Sequence, residues 1–307
     1  MAINIYKGDV FQRLKKLDDK SVNTCITSPP YWGLRDYGES DQLGLEDTPE
    51  EFVNNLIVVF KEVKRVLRDD GTVWLNLGDS FSGSGKGPSS SLNKTHHNLE
   101  EKHSKIIPVG LKQKDLVGIP FRVAFALQAD GWYLRQDIIW HKPNPMPESV
   151  KDRCTKAHEY IFLLSKSPKY YFDNEAIKEE AKFPDGPNSP SRIKGVEGVY
   201  SRNLQKIGAN PKRNKRSVWT VTTKPFKDAH FATFPKDLIE PCVLAGCPEK
   251  MCAECGTPYL LEKEVEKNLF DVKALRENDP KLYQSLISQY NKQSVASVIQ
   301  ADLKRVK

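Results

Sequence analysis

The sequence predicts an α/β fold built on one mostly parallel sheet, and three features of its pattern lead to this prediction. Short apolar segments that suit buried strands alternate with amphipathic helical segments over residues 1–250. Several of the strand segments end in Gly-Asp or in paired prolines, which are turn-forming residues. Residues 132–140 alternate in polarity, and with residues 160–165 as their partner strand they predict an antiparallel hairpin within the sheet.

The predicted elements begin with a short strand at residues 4–7, which Gly8-Asp9 ends before an amphipathic helix. The Asp9 carboxylate suits either a ligand site at the carboxyl end of the strand or a simple helix N-cap, and the pattern leaves both open. Residues 22–27 predict a second, buried strand that brings the chain to the same edge of the sheet.

A long helix is predicted from Thr48, a capping residue that proline and two glutamates follow, to about residue 67. Asp70-Gly71 predicts a turn into a buried strand at residues 72–77, which ends at Gly78-Asp79. These elements extend the parallel part of the sheet.

The second half of the chain continues the alternation. Ile119-Pro120 predicts the start of a helix that ends at Asp130-Gly131, directly before the hairpin. A further strand is predicted at residues 217–221 and a helix over residues 236–245.

The composition indicates a soluble protein with room for a substantial core. The chain has 307 residues, of which 38% are hydrophobic. Its apolar runs fall far short of the roughly 20 residues that span a bilayer, and its N-terminus lacks signal-peptide character, so we expect a cytoplasmic protein. The net charge of +7 and the pI of about 8.9 are compatible with a polyanionic partner.

The strand at residues 22–27 leads into Ser28, Pro29, Pro30 and Tyr31, which interrupt regular structure abruptly. Two successive prolines lack N–H donors and fix their φ angles, so the carbonyl groups before them can face a cleft. An adjacent aromatic ring offers a flat stacking surface. Outward carbonyls beside such a ring suit an amino group on a planar heterocycle, and a flipped nucleobase is such a ligand.

At these residues the sequence resembles the amino-group DNA methyltransferases, in the beta arrangement that puts a Ser-Pro-Pro-Tyr motif near the N-terminus. The resemblance implies a Rossmann-like methyltransferase sheet, S-adenosyl-L-methionine as cofactor and double-stranded DNA as partner. It implies that the residues from Ser28 to Tyr31 are catalytic and that Tyr31 stacks on the target base. Ser28, in place of Asp, favours cytosine N4 over adenine N6 as the target, in an enzyme of restriction-modification or phage type.

Three further segments resemble the same family in the expected order. Gly8 and Asp9 match the segment near the adenosine of the cofactor, and residues 141–149 match the target-base loop, where Trp140 or Lys142 would line the pocket. A structural role for Trp140 is the alternative. The segment that closes over the methionine part of the cofactor is matched by His230, Phe231, Ala232, Thr233, Phe234 and Pro235.

Residues 181–216 lose the apolar rhythm and become rich in Pro, Gly, Ser and basic residues. We expect a target-recognition segment here, with phosphate contacts from its last residues, although a solvated charged face is the alternative. The predicted DNA contacts are Lys212, Arg213, Lys215 and Arg216.

Two other motifs are ambiguous. Residues 81–85 read Phe-x-Gly-x-Gly, like the family's cofactor loop, but no helix follows, so we predict a flexible loop over residues 82–114. Cys247, Cys252 and Cys255 have the spacing of half a zinc site, and a complete site would need a fourth ligand from elsewhere.

The family's own cofactor loop, Asp-Pro-Phe-x-Gly-Ser-Gly-Thr, is expected after residue 245 and does not occur. We therefore expect an incomplete sheet in a truncated chain, and a second polypeptide that supplies the cofactor loop. The alternative to a DNA methyltransferase is a DNA-binding fragment that lacks part of the catalytic machinery. The predicted domains are a catalytic domain at residues 1–180 that resumes at 217–246, the recognition segment, and a Cys-containing helical tail at 247–307.

Overall fold

The computed structural model describes residues 3–34, 38, 41–83, 107–180, 212–224, 233–252 and 256–258. Helices and strands alternate within these residues. In chain order they are α1 (Val10–Leu14), β1 (Val22–Thr27), α2 (Pro49–Val66), β2 (Leu67–Leu77), α3 (Ile119–Ala129), β3 (Tyr133–His141), β4 (His158–Ser165), β5 (Glu179–Glu180), β6 (Lys212–Arg213), β7 (Val218–Thr220) and α4 (Lys236–Gly246).

Five strands form the main sheet in the order β1-β2-β4-β3-β7. β1 is parallel to β2, and β3 is parallel to β7, whereas β4 is antiparallel to both of its neighbours. The predicted α/β fold, with a mostly parallel sheet and an antiparallel hairpin, is confirmed. The pair β5 and β6 forms a separate two-stranded antiparallel sheet that the sequence pattern did not reveal.

Helices cover both faces of the sheet. α2 and α3 pack on one face around Phe52, Leu56 and Leu127, and α4 packs on the other face around Leu238. Strand β2 shows why its sequence is continuously apolar, since its alternate residues enter the two different cores. The sheet is therefore the middle layer of three.

Two predicted details are wrong. Residues 4–7 form no strand and are exposed, because a short segment gains no burial without a neighbouring strand. Asp70-Gly71 is not a turn, since β2 begins at Leu67 and runs through it with a shift of register against β1. Gly71 suits this bulge, because a Cβ there would lie 3.0 Å from the carbonyl oxygen of Asn23.

The predicted loop over residues 82–114 is closed at its base. Ser82 N donates to Asp115 O at 2.8 Å, and Lys114 N donates to Ser82 O at 2.8 Å. Residues 84–106 of this loop lie outside the described part of the chain, as do residues 181–211 of the recognition segment and residues 259–307 of the tail. No helix in the described residues is long and apolar enough to cross a membrane.

Candidate active site

The Ser-Pro-Pro-Tyr loop and the Gly78-Asp79 turn lie side by side. β1 and β2 are parallel and paired up to Thr27 opposite Leu75, so their carboxyl ends reach the same edge of the sheet. Ligands of open α/β sheets bind outside these carboxyl ends. The loop from Ser28 to Tyr31 therefore stands where the sequence predicted it.

The Tyr31 hydroxyl is the centre of a hydrogen-bonded cluster. It lies 2.8 Å from Glu159 Oε2, 3.1 Å from Asn76 Oδ1 and 3.3 Å from Ser28 Oγ. Asn76 Nδ2 also donates to Glu159 Oε2, at 3.2 Å. The cluster joins the loop after β1 to side chains of β2 and β4.

Gly78 makes room for the Tyr31 ring. A Cβ built on Gly78 would lie 2.6 Å from Cε2 of the ring, which is closer than real Cβ contacts come. Only glycine fits at this position without moving the ring. The tyrosine is therefore held by a glycine on one side and by hydrogen bonds at its hydroxyl.

Glu159 is a site residue that the sequence analysis missed. Its carboxylate pairs with Lys142, and both side chains are mostly buried, with exposures of 17% and 18%. Lys142 also lies over the Trp140 ring, 4.3 Å from its centroid. The signal for Glu159 is its position opposite Trp140 in the β3–β4 register, which is visible only once the hairpin is paired.

The side chain of Asp79, at the end of the neighbouring strand β2, accepts hydrogen bonds from backbone amides. Its Oδ1 accepts from the amides of Ser80 at 2.9 Å and of Gly118 and Ile119 at 3.0 Å each. Gly118 at the N-cap of α3 has no side chain of its own to do this. Asp79 therefore caps α3 from a distance of 39 residues in sequence.

Lys156 brings a positive charge to this edge. Burial lowers the pKa of its ammonium group, while the carboxylates of Asp79 and Glu159 act in the opposite direction. Burial also lowers the pKa of His158, with Lys156 as the next cause. The carboxylates and ammonium groups of this edge are therefore close enough to affect one another.

Two predicted positions have structural roles. The Asp9 carboxylate accepts from Gln12 N at 3.0 Å and caps α1, which is the N-cap alternative, and Gly8 precedes it with a φ of 131°. Trp140 is 4% exposed and donates from Nε1 to Val221 O at 2.8 Å, which fits its structural alternative.

The predicted segment at the cofactor's methionine side is described in part. Thr233, Phe234 and Pro235 lead into α4, and Phe234 packs in the same core cluster as Ile26 of β1. At the other end of α4, a Cβ built on Gly246 would lie 2.9 Å from Thr24 Oγ1 of β1, so α4 packs directly on this strand. His230, Phe231 and Ala232 lie outside the described residues.

The predicted DNA-contacting residues divide into two kinds. Arg213 and Arg216 both pair with Glu179, at 3.0 and 2.7 Å. Lys212 is exposed, and Lys215 lies 5.0 Å from the centroid of the Trp219 ring. The two arginines thus have an intramolecular carboxylate partner, and the Lys215 ammonium group lies over an aromatic ring.

The cysteines do not assemble a metal site within the described residues. No group of three or more His, Cys, Asp or Glu side chains there is placed to hold a metal ion. Cys252 O accepts from Gly256 N at 2.9 Å in a tight turn, Cys247 is exposed, and Cys255 lies outside the described residues. Zinc binding by Cys247, Cys252 and Cys255 therefore stays a prediction.

Comparisons with known proteins agree with the fold and the loop. A family model described as DNA methylase matches residues 22–252. The Type II methyltransferase M.Cfr9I of Citrobacter freundii is 48% identical over 242 residues, which cover 79% of this chain and 72% of that protein. The Type II methyltransferase M.SmaI of Serratia marcescens is 45% identical over 245 residues, covering 80% and 75%.

Among solved structures, the cytosine-N4-specific PvuII DNA methyltransferase has a similar fold. Its TM-score is 0.50 at 16% identity, covering 80% of this chain and 71% of that chain. The resemblance to the amino-group DNA methyltransferases is confirmed. With motif, fold and relatives in agreement, the chain belongs to the DNA methylase family and uses S-adenosyl-L-methionine as its cofactor.

Proposed function

We propose that the chain is a site-specific Type II DNA methyltransferase that methylates an exocyclic amino group of a DNA base, with cytosine N4 favoured over adenine N6. The observation that carries this proposal is the loop from Ser28 to Tyr31, fixed at the carboxyl edge of the sheet by Glu159 and Gly78. The preference for cytosine rests on Ser28, because this position lacks the carboxylate of the Asp-Pro-Pro-Tyr form. Its Type II relatives support a role in a restriction-modification system, in the cytoplasm.

The chemistry follows from what the loop can accept. The nitrogens of Pro29 and Pro30 carry no hydrogen, so the loop backbone offers carbonyl acceptors without competing donors. The carbonyls of Ser28 and Pro29 accept hydrogens of the base amino group and draw its lone pair out of conjugation with the ring. Tyr31 stacks on the flipped base. When bound, S-adenosyl-L-methionine supplies a methyl group made electrophilic by the sulfonium.

The described residues offer a place for the cofactor's carboxylate. α4 begins after Thr233–Pro235 without a side-chain cap, so its first N–H groups are not taken by a capping side chain. A helix N-terminus binds anionic groups, and this helix packs on β1, the strand that leads to Ser28. We therefore assign Thr233, Phe234 and Pro235 to the methionine end of the cofactor. Asp9 has its carboxylate engaged in a helix cap, so we assign the adenosine contact to Gly8 and the backbone of Asp9.

DNA binding is assigned to basic residues near this edge. Of the two residues predicted to line the base pocket, Lys142 reaches the Tyr31 cluster through Glu159, whereas Trp140 belongs to the core. We propose that Lys212 and Lys215 contact phosphates at the end of a recognition segment over residues 181–216. The β5–β6 pair places Glu180 and Lys212, the described residues on either side of this segment, next to each other.

The test is an analysis of the reaction product. The purified chain is incubated with unmethylated genomic DNA and methyl-labelled cofactor, and the nucleosides are separated by mass spectrometry. We expect labelled N4-methylcytosine, and at least 10-fold less of it with Tyr31→Ala in the same reaction time. Labelled N6-methyladenine would overturn the choice of cytosine, and the absence of any labelled nucleoside would overturn the proposed activity.

A further inference from the structure

The Tyr31 cluster contains a continuous chain of hydrogen-bonded oxygen atoms to which the proposed function assigns no role. Ser28 Oγ, Tyr31 Oη and Glu159 Oε2 form a chain, with separations of 3.3 and 2.8 Å. It runs from Ser28, at the start of the loop after β1, to a carboxylate on β4. The carboxylate is mostly buried, at 17% exposure, and its other oxygen is paired with Lys142.

Hydrogen-bonding capacity fixes which atom donates. An ionised carboxylate only accepts, so the single Tyr31 proton points to Glu159, at the shorter of its two acceptor distances. With that proton committed, the Tyr31 oxygen accepts from Ser28. The lone pairs of Ser28 Oγ then face away from its own proton and are available to an incoming donor.

We propose that Glu159 is the terminus of a proton relay that begins at Ser28 and passes through Tyr31, and that the same carboxylate positions Tyr31 for stacking. This inference rests on the proposed function, because it needs an amino group to be methylated at the loop. It assigns to Glu159 the proton that the reaction releases. Ser28 touches the substrate, whereas Glu159 acts through Tyr31 and is a positioning residue.

The relay balances the reaction. The lone pair of the base amino nitrogen forms the N–C bond to the methyl group, while the methyl–sulfur bond breaks and its electron pair stays on sulfur. The nitrogen then carries a positive charge and an excess proton. That proton passes to Ser28 Oγ as the Ser28 proton passes to Tyr31 Oη and the Tyr31 proton to Glu159 Oε2. Glu159 later releases the proton to solvent through its exposed fraction.

The surroundings of Glu159 suit this task. Lys142 neutralises the carboxylate before transfer, and Asn76 donates a second hydrogen bond to the oxygen that receives the proton. The other titratable groups that act on it are Lys156 and His158. A neutral hydroxyl is a poor final proton acceptor, whereas a carboxylate is a stronger base and can hold the proton.

Three variants test the relay. Glu159→Gln keeps the shape and the acceptor oxygen for Tyr31 but cannot receive the proton, and Tyr31→Phe keeps the ring but breaks the chain. The matched control is Glu62→Gln, whose partner Arg65 forms an ion pair of similar exposure on α2, away from the site. The measurement is the single-turnover rate of methyl transfer to duplex DNA in water and in deuterium oxide, with thermal unfolding and DNA binding followed in parallel.

We expect both site variants to lose about 100-fold or more in rate, within the range of general-base effects, with DNA binding nearly unchanged. The wild type should show a solvent isotope effect that both variants lack, and the double variant should be no slower than the slower single one. The Glu62→Gln control should keep the wild-type rate. If Glu159→Gln fails to fold, the rate and the solvent isotope effect of Tyr31→Phe alone test the relay.

Two results would contradict the inference in different ways. A wild type that transfers methyl groups, beside variants that keep its rate and isotope effect, would overturn the relay and leave the proposed function standing. A wild type that binds DNA but transfers no methyl group to any base would overturn both.

Discussion

The loops after β1 and β2 are neighbours at one edge of the sheet, yet they use their polar residues in opposite ways. After β1, the side chains of Ser28 and Tyr31 are linked to Glu159 and Asn76 by side-chain hydrogen bonds. After β2, the Asp79 carboxylate is taken up by backbone amides at the start of α3. We propose that the first loop serves the chemistry, whereas the second supports the start of α3.

This difference shows that position at the ligand edge does not by itself make a carboxylate functional. Gly8-Asp9 repeats the pattern of Gly78-Asp79, and Asp9 also caps a helix. The carboxylate that reaches the proposed pocket, Glu159, comes instead from the start of β4, opposite Trp140 of β3. Its partners are side chains, which are free to rearrange when a substrate arrives.

The largest expected effect is on the supporting loop. Asp79→Ala leaves the amides of Gly118 and Ile119 without their acceptor at a half-buried helix start, so we expect a loss of about 3 kcal/mol in the free energy of unfolding. Urea unfolding followed by circular dichroism measures it. Asp79→Asn, which keeps an acceptor oxygen, should lose much less, and equal losses in the two variants would contradict the capping role.

The next effect is on the chemical loop. Tyr31→Ala should weaken binding of the flipped base by about 2 kcal/mol through lost stacking, with little change in non-specific DNA affinity. A duplex with a fluorescent base analogue at the target reports the stacking. Wild-type fluorescence from the variant complex would remove Tyr31 from the base pocket, and Tyr31→Phe is the control that keeps the ring.

A smaller effect is expected where the two loops touch. Gly78→Ala places a methyl group 2.6 Å from the Tyr31 ring, which must move away. We expect a cost of about 1 kcal/mol in stability and a larger fractional loss in methyl transfer. The control is Gly110→Ala, because a Cβ at Gly110 would meet no atom within 4 Å, and its only cost is the backbone strain of a φ of 84°. If Gly110→Ala lost as much methyl transfer as Gly78→Ala, the contact with the Tyr31 ring would not explain the loss.

The smallest effect is expected from the basic residues. Lys212→Ala and Lys215→Ala should each flatten the salt dependence of DNA affinity by about 0.9 log units per log unit of salt. Arg213→Ala and Arg216→Ala should change it less, because both arginines pair with Glu179. Equal slopes for all four variants would contradict this division.

Much of the fold was accessible from sequence because the signals are local. Thr48 caps α2 as predicted, accepting from Glu51 N at 3.1 Å, and β3 and β4 pair as an antiparallel hairpin as predicted. The failures come from tertiary context. Residues 4–7 are of types that favour a strand, but no neighbouring strand pairs with them. Asp70-Gly71 is typical of a turn, but Gly71 lies in a β-bulge within β2.

The candidate site was accessible only where one segment carries it. The Ser-Pro-Pro-Tyr loop can be recognised from the sequence because its two prolines and its aromatic residue are adjacent. Glu159 is separated from Tyr31 by 128 residues, and the residue types of its strand predict only that the strand is paired, with no sign of a functional carboxylate. The ion pairs of Arg213 and Arg216 likewise join distant segments, so composition alone made all four basic residues look equivalent.

The single-turnover rate of methyl transfer by folded Tyr31→Ala and Asp79→Asn variants tests the contrast between the two loops most directly. The folded fraction of each is fixed first by unfolding measurements, and the rate per folded molecule is then compared with the wild type. We predict a rate near that of the wild type for Asp79→Asn and a loss of at least 10-fold for Tyr31→Ala. The reverse order, with folded Asp79→Asn inactive and Tyr31→Ala active, would contradict the account.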